Sequence, residues 1–497
     1  MSMTISSYEE LPYTTFALRG AHPSRLGALA RLHGLDTPLP DNCSVLEIGC
    51  GTGGNLAHLA YLYPKSRFVG VDISPAHISL ARELAQGSSL SNVEFRLGDF
   101  AEIVTEAGAF DYIMCHGVYS WIRPDLRERL MEVIKSALSA EGVAFISYNV
   151  LPGWRQRGAI RDIMKTGATL GVVRDQSSDP RALLAAGIEL LTLVGATRKK
   201  GGDLFGTFVR EALERMSDSD PSYLFHEFLE EHNDAVLFSD FIGAASNHGL
   251  QFLSEAKPAL MSCDDLGPEV SNYLSRLDGD IIAREQTLDM LRNRMFRETL
   301  LCHSAHQLKR DLKASVFKSL RFVSDYRLIS QSPAKARFEE VTSQRSVETP
   351  VDEHSRLLVR IGEWGYSGVS FEQLQGAIGN DPSLSLGERE LMHAIVRLWR
   401  SGFIEAVSEA PNVKHVARGV PKISPIAHYQ TRHGNLVTAL QHKSFHLSSL
   451  ELNILRAVDG ESLFEDIIKK VGTDTTETRR ATERLLTLGF FAGEIES

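Results

Sequence analysis

Five short apolar runs, each closed by a polar residue, alternate with stretches of helical periodicity in the first third of the chain. The first run is Val45, Leu46 and Ile48, broken by Glu47 and ending in a glycine cluster. The others occupy 68–72, 93–100, 110–115 and 142–149. Between them, 54–63, 75–87 and 124–139 space their apolar residues at three and four, the period of a helix with one buried face. Strands alternating with helices predict a parallel, doubly wound α/β sheet over about 41–165. In such sheets ligands sit at the carboxyl ends of the strands. Glu47, Asp72, Asp99, His116 and Asn149 all fall there.

Beyond this unit the pattern changes. Residues 1–40 carry Tyr8, Tyr13 and an amphipathic helix from about 24 to 33, placed to cap the ligand of the following fold. Residues 166–303 read as a helical middle domain, with an apolar helix at 181–195 and a flexible joint at Gly201-Gly202. Residues 304–497 are mixed, with strand-like alternation at 337–341. A weak repeat links Gly402-Phe403 to Gly489-Phe490, each pair following a helix and leading into a short strand. Two winged-helix-like modules are expected, at about 350–408 and 446–497. The second carries Arg479, Arg480 and Arg484 beside Glu477 and Glu483, a mixture that suits packing or protein contact better than DNA.

The turn after the first strand carries the chemistry. A strand, a glycine turn and a helix N-terminus aim backbone N–H groups at a ligand. Gly49, Gly51 and Gly54 satisfy the dinucleotide spacing, and Asp72 follows at the distance of a ribose-binding acid. Glu47 argues the other way. A carboxylate at that strand end repels a pyrophosphate and suits a cationic ligand, such as the ammonium and sulfonium of S-adenosylmethionine (SAM). Asp72 then accepts from the ribose hydroxyls. Asp99 is placed to accept from the adenine amine, with Phe100 against the ring.

Composition narrows the partners. The chain has 497 residues, enough for two to four domains, and a net charge of −10. That acidity argues against general nucleic-acid binding and suits a basic substrate. Arg198-Lys199-Lys200 reads as a solvated loop. The longest apolar runs are too short for a membrane span, and the N-terminus lacks the pattern of a signal peptide. Five scattered cysteines without paired spacing read as reduced thiols in a cytoplasmic protein, with no metal site. His226-Glu227 is not a zinc motif, because the next histidine, His232, is six positions on; His226 and His248 read as satisfied surface residues.

Methyl transfer needs little beyond positioning and an acceptor with a free lone pair. The loop His116-Gly117-Val118-Tyr119-Ser120-Trp121 lies where the methyl group is expected. Tyr119 and Trp121 can line a channel for an alkyl-ammonium group. Trp154 is a candidate opposite wall and reads equally well as a core anchor. The thiols of Cys50 and Cys115 read as packing.

The His116–Trp121 loop, the stretch 147–154 (Ser-Tyr-Asn-Val-Leu-Pro-Gly-Trp), the segments 226–230 and 238–241, and the closing 292–301 resemble the bacterial class I SAM-dependent methyltransferases with a methyltransferase regulatory domain. Among these, the chain is similar to the rickettsial protein-lysine methyltransferases that modify an outer membrane protein. The resemblance spans nearly the whole chain. It implies SAM as cofactor, contacted by Glu47, Gly49, Gly51, Asp72, Asp99 and His116; Cys50, Asn55, Ile73 and Phe100 are further candidates beside them. It implies catalysis by His116, Tyr119, Trp121, Asn149 and Tyr13, with the acceptor held by Tyr119, Trp121 and Trp154. The implied acceptor is a protein lysine; a small-molecule N- or O-methyltransferase and a SAM-binding regulatory protein are the alternatives. A homodimer is compatible with the sequence and not fixed by it. Two departures bear on substrate access: Arg123 intervenes between Ile122 and Pro124, and the middle domain looks short.

Overall fold

The computed structural model describes residues 15–492 apart from 176–178, 198–202, 218, 342, 344, 380, 382, 383, 385, 410–418, 473 and 474. Tyr8, Tyr13, Arg198-Lys199-Lys200 and Gly201-Gly202 lie outside the described residues.

The five expected strands form as β1 (Ser44–Ile48), β2 (Arg67–Asp72), β3 (Val93–Leu97), β4 (Phe110–Cys115) and β5 (Leu138–Val150). They pair in parallel in the order β3-β2-β1-β4-β5. The sheet does not end at 165. Three more strands, β6 (Ala235–Val236), β7 (Leu250–Glu255) and β8 (Phe296–His303), extend it. β8 runs antiparallel between β5 and β7, and β6 pairs with the end of β5. The region expected to be a separate helical domain therefore supplies one edge of the nucleotide-binding sheet. Its strands were hidden because each is a short apolar run between helices, which periodicity cannot separate from helix.

Helices α1 (Pro23–Leu32), α2 (Gly54–Leu62), α3 (Pro75–Gly87) and α4 (Pro124–Ala137) flank the first five strands. Side chains alternate across the sheet. Val45, Tyr112, Met114 and Phe145 enter one core with α1, while Leu46, Ile48, Ile113 and Ile146 enter the other with α4. The first core runs on without a break into the C-terminal region through Phe317, Phe322, Ile395 and Ala406. The N-terminal cap, the sheet and the first C-terminal module thus share one apolar interior. α1 is buried along almost its entire length between them.

Between β5 and β6 the chain forms α5 (Trp154–Asp175), α6 (Pro180–Ala196), α7 (Leu204–Ser217) and α8 (Pro221–Leu229), which hold their own core around Met164, Leu191, Val209 and Phe225. α9 (Phe238–Asn247) covers the sheet, and α10 (Ile281–Arg292) precedes β8. Arg297 on β8 is fully buried and binds three acids from two neighbours: Glu255 of β7 at 2.6 Å, and Glu285 and Asp289 of α10 at 3.2 and 2.8 Å. This network joins β7, α10 and β8. His226 is buried, not at the surface; it is satisfied by Glu230 one turn on, at 2.8 Å. His248 is satisfied by Glu128 at 2.7 Å.

After a short helix, Ala314–Phe317, and a strand, Arg321–Val323, the C-terminal region forms an antiparallel meander, Tyr326–Gln331, Lys335–Glu340 and Ser346–Pro350. Two three-helix modules follow: Glu353–Glu363, Phe371–Gly379 and Glu388–Arg400, then Ser449–Arg456, Phe464–Val471 and Thr475–Thr487. The repeat is a shared helix stop. Gly402 and Gly489 are left-handed, with φ of 76° and 74°. The next N–H turns back onto the helix, Phe403 to the Leu398 carbonyl and Phe490 to that of Leu485. This is a glycine C-cap with an apolar residue behind it. Beside the first module, Val369–Ser370 and Glu405–Val407 both pair with an upstream strand, Arg321–Val323, and a wing hairpin is not found there among the described residues.

Candidate active site

The turn after β1 is built on three left-handed glycines, Gly49, Gly51 and Gly53, with φ of 76°, 51° and 76°. Gly54, the third glycine of the dinucleotide spacing, is instead the first residue of α2. The turn is therefore G-x-G-x-G. Its outer side is covered by the N-terminal segment. Gly54 donates its N–H to Thr15 Oγ1 at 3.1 Å, and Thr15 donates its N–H to Thr52 Oγ1 at 3.0 Å. A Cβ on Gly51 would stand 2.3 Å from Thr15 Cγ2, a distance no packing allows. The chain two residues after Tyr13 therefore rests on this loop.

Glu47 is the penultimate residue of β1, 3% exposed. Its Oε1 accepts from Asn55 Nδ2 at 2.8 Å, and its Oε2 has no hydrogen-bond partner among the described residues. Burial pushes the carboxyl up to about 8, the nearby Asp72 charge adds to the rise, and the Asn55 bond opposes it. A buried carboxylate with one free oxygen lacks a cation or donor. The ammonium of SAM supplies both, so the residues present fit that cofactor.

Asp72 closes β2. One oxygen accepts from Gly51 N at 2.8 Å and the other from Ser74 N at 2.9 Å. His77 Nδ1 also lies 3.4 Å from the oxygen that faces Ser74, so of about four acceptor positions on a carboxylate the oxygen facing Gly51 keeps capacity for a ribose hydroxyl. Ile73 beside it is exposed, and so is Leu97, which lies in register with Asp72 across the β2–β3 pair. Both are exposed apolar side chains at the strand ends, where a ligand with a flat heterocycle would bury them. Asp99 caps the following helical turn by accepting from Ala101 N at 2.9 Å, and Phe100 packs against the second core.

The loop after β4 is fixed by polar ties. Gly117 N donates to Ser147 Oγ, and Asn149 N to Ser120 Oγ at 2.8 Å. The Asn149 side chain donates to Asn233 Oδ1 at 2.6 Å. Asn149 is buried and ties the loop to Asn233. Tyr119 departs from expectation. Its ring is buried edge-on against Phe241 and Tyr148, with centroids at 5.0 and 5.8 Å, and Arg127 lies 5.4 Å from it. It anchors the loop instead of lining a channel, because β5 and α9 offer it an apolar slot. Trp154 is buried in the first turn of α5 with Arg157 against its ring, the core-anchor alternative. Trp121 is partly exposed. Cys50 and Cys115 are buried, and all five cysteines are unpaired.

His116 stands at the end of β4 between Phe145 and Phe296, at 6.2 and 6.0 Å. Burial holds its imidazole below the usual range, and its Nδ1 has no hydrogen-bond partner among the described residues. The charges of Glu298 and Lys257 both reach it, and these two are paired at 2.8 Å. Glu298, Lys257 and Phe296 are missed by the sequence reading. Phe296 and Glu298 belong to β8 and Lys257 follows β7, and only the pairing of β8 with β5 brings them to the site. The signal was present in 296–303, a short run bounded upstream by Asn293, which stops α10 in a left-handed conformation.

Residues 39–179 match a family model described as "Methyltransferase domain", and 220–303 one described as "Predicted methyltransferase regulatory domain". The chain is 29% identical to uncharacterised protein RP789 of Rickettsia prowazekii (strain Madrid E) over 93% of its length and 85% of that protein. It is 32% identical to uncharacterised protein RP028 of the same organism, over 50% of this chain and 96% of that one. Its structure is similar to PKMT2 from Rickettsia typhi in complex with AdoHcy: TM-score 0.85, 26% identity, 97% of this chain and 100% of that chain. No helix among the described residues is long and apolar enough to cross a membrane. With a class I sheet, a glycine turn over a buried acid and these relatives, the chain belongs to the bacterial SAM-dependent methyltransferases that carry a methyltransferase regulatory domain.

Proposed function

We propose that this enzyme is a protein-lysine N-methyltransferase acting in line on a deprotonated lysine amine. SAM, when bound, supplies the activated methyl group. Glu47 holds the cofactor's ammonium, Asp72 its ribose, and Ile73 with Leu97 its base, while Asp99 and Phe100 border the base. The observation that supports a lysine acceptor is the Glu298 carboxylate beside His116, which already holds a lysine ammonium, that of Lys257, at 2.8 Å. A carboxylate of that kind draws in an incoming lysine. The apolar walls, buried Phe145 and the more exposed ring of Phe296, then disfavour its charged form. Neutralising a free lysine at neutral pH costs about 4 kcal/mol, and desolvation supplies part of it. The resemblance to rickettsial protein-lysine methyltransferases points the same way.

Incubation with labelled SAM and a lysine-rich protein mixture, followed by peptide mass spectrometry, tests the reading. Methyl groups on lysine support it. SAM turnover with methylation confined to small molecules would refute it in favour of a small-molecule methyltransferase.

A further inference from the structure

A hairpin of the C-terminal region reaches the cofactor acid from behind. Its strands are Leu436–Ala439 and Lys443–His446, and His442 stands in the turn between them with φ of 60°. A histidine in a left-handed conformation is uncommon, and the fold must hold it there. His442 is 1% exposed, inserted beside α2. Its Nε2 lies 2.8 Å from Asn55 Oδ1. The same oxygen accepts from Leu18 N at 2.9 Å, and Asn55 Nδ2 donates to Glu47 Oε1 at 2.8 Å.

This connectivity fixes every proton. Leu18 N–H can only donate, so the Asn55 oxygen faces it and the Asn55 amide faces Glu47. His442 Nε2 then carries the proton it gives Asn55, and its Nδ1 is an acceptor. His58 Nδ1 lies 2.9 Å from that Nδ1 and must be the donor. The remaining His58 nitrogen, Nε2, is buried without a hydrogen-bond partner among the described residues, which leaves no group there to draw the proton away from Nδ1. The chain His58, His442, Asn55, Glu47 is thus polarised in one direction, toward the carboxylate, and buried throughout.

We infer that His442 is a positioning residue for cofactor binding: through Asn55 it orients Glu47 toward the SAM ammonium, so that docking of the C-terminal hairpin and SAM affinity are coupled. The inference rests on the reading that Glu47 holds that ammonium. It assigns the C-terminal region a task at the cofactor, although the hairpin supplies no residue to the glycine turn.

A double-mutant cycle on the full chain, read by calorimetric titration with SAM and AdoHcy, tests it. His442→Phe removes the donor and is expected to weaken both ligands about tenfold. His442→Gln, whose amide can reach the same position, is expected to return affinity to within about threefold of wild type. In a Glu47→Gln background, His442→Phe is expected to have no further effect, a non-additivity that general loosening of the fold would not produce. Equal losses for His442→Phe in both backgrounds, or wild-type affinity in the single variant, would overturn the inference. If His442→Phe does not fold, His58→Phe serves: it removes the donor to His442, and an unchanged affinity there also overturns it. Failure of Glu47→Gln alone to weaken SAM would instead remove the site assignment on which the inference stands.

Discussion

Asn55 holds one oxygen of Glu47 at 2.8 Å and leaves the other buried and unpartnered among the described residues. One oxygen is fixed in place and the second keeps its hydrogen-bonding capacity unspent. The first prediction concerns that oxygen. Glu47→Gln keeps the shape and the Asn55 contact region but removes the charge. Loss of a charge-assisted contact of about 1.5–3 kcal/mol corresponds to roughly ten- to hundredfold weaker SAM binding, measurable by titration calorimetry.

The same burial makes SAM binding depend on pH. The free-protein carboxyl sits at about 8, above its ordinary 4.5, so at neutral pH it is largely protonated. A cationic ligand requires the ionised form. SAM affinity is therefore expected to rise with pH up to about 8, by at most about tenfold per unit, with proton release on binding. For the unliganded protein the sign is opposite: the stability Glu47 contributes is fully present below its ordinary range and is lost as pH rises through about 8. Titrations in buffers of different ionisation enthalpy check the proton release, and Glu47→Gln should abolish it.

The buried histidines act at the acid end. Burial pulls His22 and His58 down to about 3. A group depressed in the folded state gives stability that is present above its unfolded value, near 6.5. That stability is lost as pH falls toward about 3, because the unfolded chain takes up the proton first. Each histidine adds at most about 1.4 kcal/mol per pH unit to this slope. Thermal melts between neutral pH and pH 4 should show a falling midpoint, and His58→Phe should make the fall shallower.

Tyr119 and Trp121 should separate. Tyr119→Phe keeps the ring in its slot and is expected to leave kcat near wild type, while Tyr119→Ala costs about 3–5 kcal/mol in denaturant unfolding. Trp121→Ala is expected to raise KM for the methyl acceptor with the fold intact. A large loss of kcat in Tyr119→Phe would return Tyr119 to the catalytic set.

Arg297→Met leaves Glu255, Glu285 and Asp289 facing one another, with Arg294 at 3.2 Å from Asp289 and Arg284 at 3.6 Å from Glu285 as remaining arginine partners. Removing one partner of a buried ionic network costs about 3–5 kcal/mol. Urea unfolding should read that loss, and it should loosen β7 and β8 before the parallel strands in hydrogen exchange.

The sequence by itself determined the five parallel strands, the acids at their ends and the glycine turn. Each is a local signal: a short apolar run that leads straight into a turn and a polar residue, a carboxylate next to glycines, a helix start. It also located the two glycine helix stops in the C-terminal third, because Gly-Phe after an amphipathic run is read within a few residues. Tertiary structure decided what depends on pairing between distant segments. β8 and β7 join the sheet only through β5, and with them Glu298 and Lys257 reach His116. Tyr119 looks like a channel residue in its loop and becomes an anchor because α9 and β5 present Phe241 and Tyr148 to it. His442 meets Asn55 across 387 positions of chain. Local pattern carries periodicity and charge; it carries no record of which far residue will fill a slot or satisfy a buried nitrogen, and that is set by the one packing in which all of them are satisfied together.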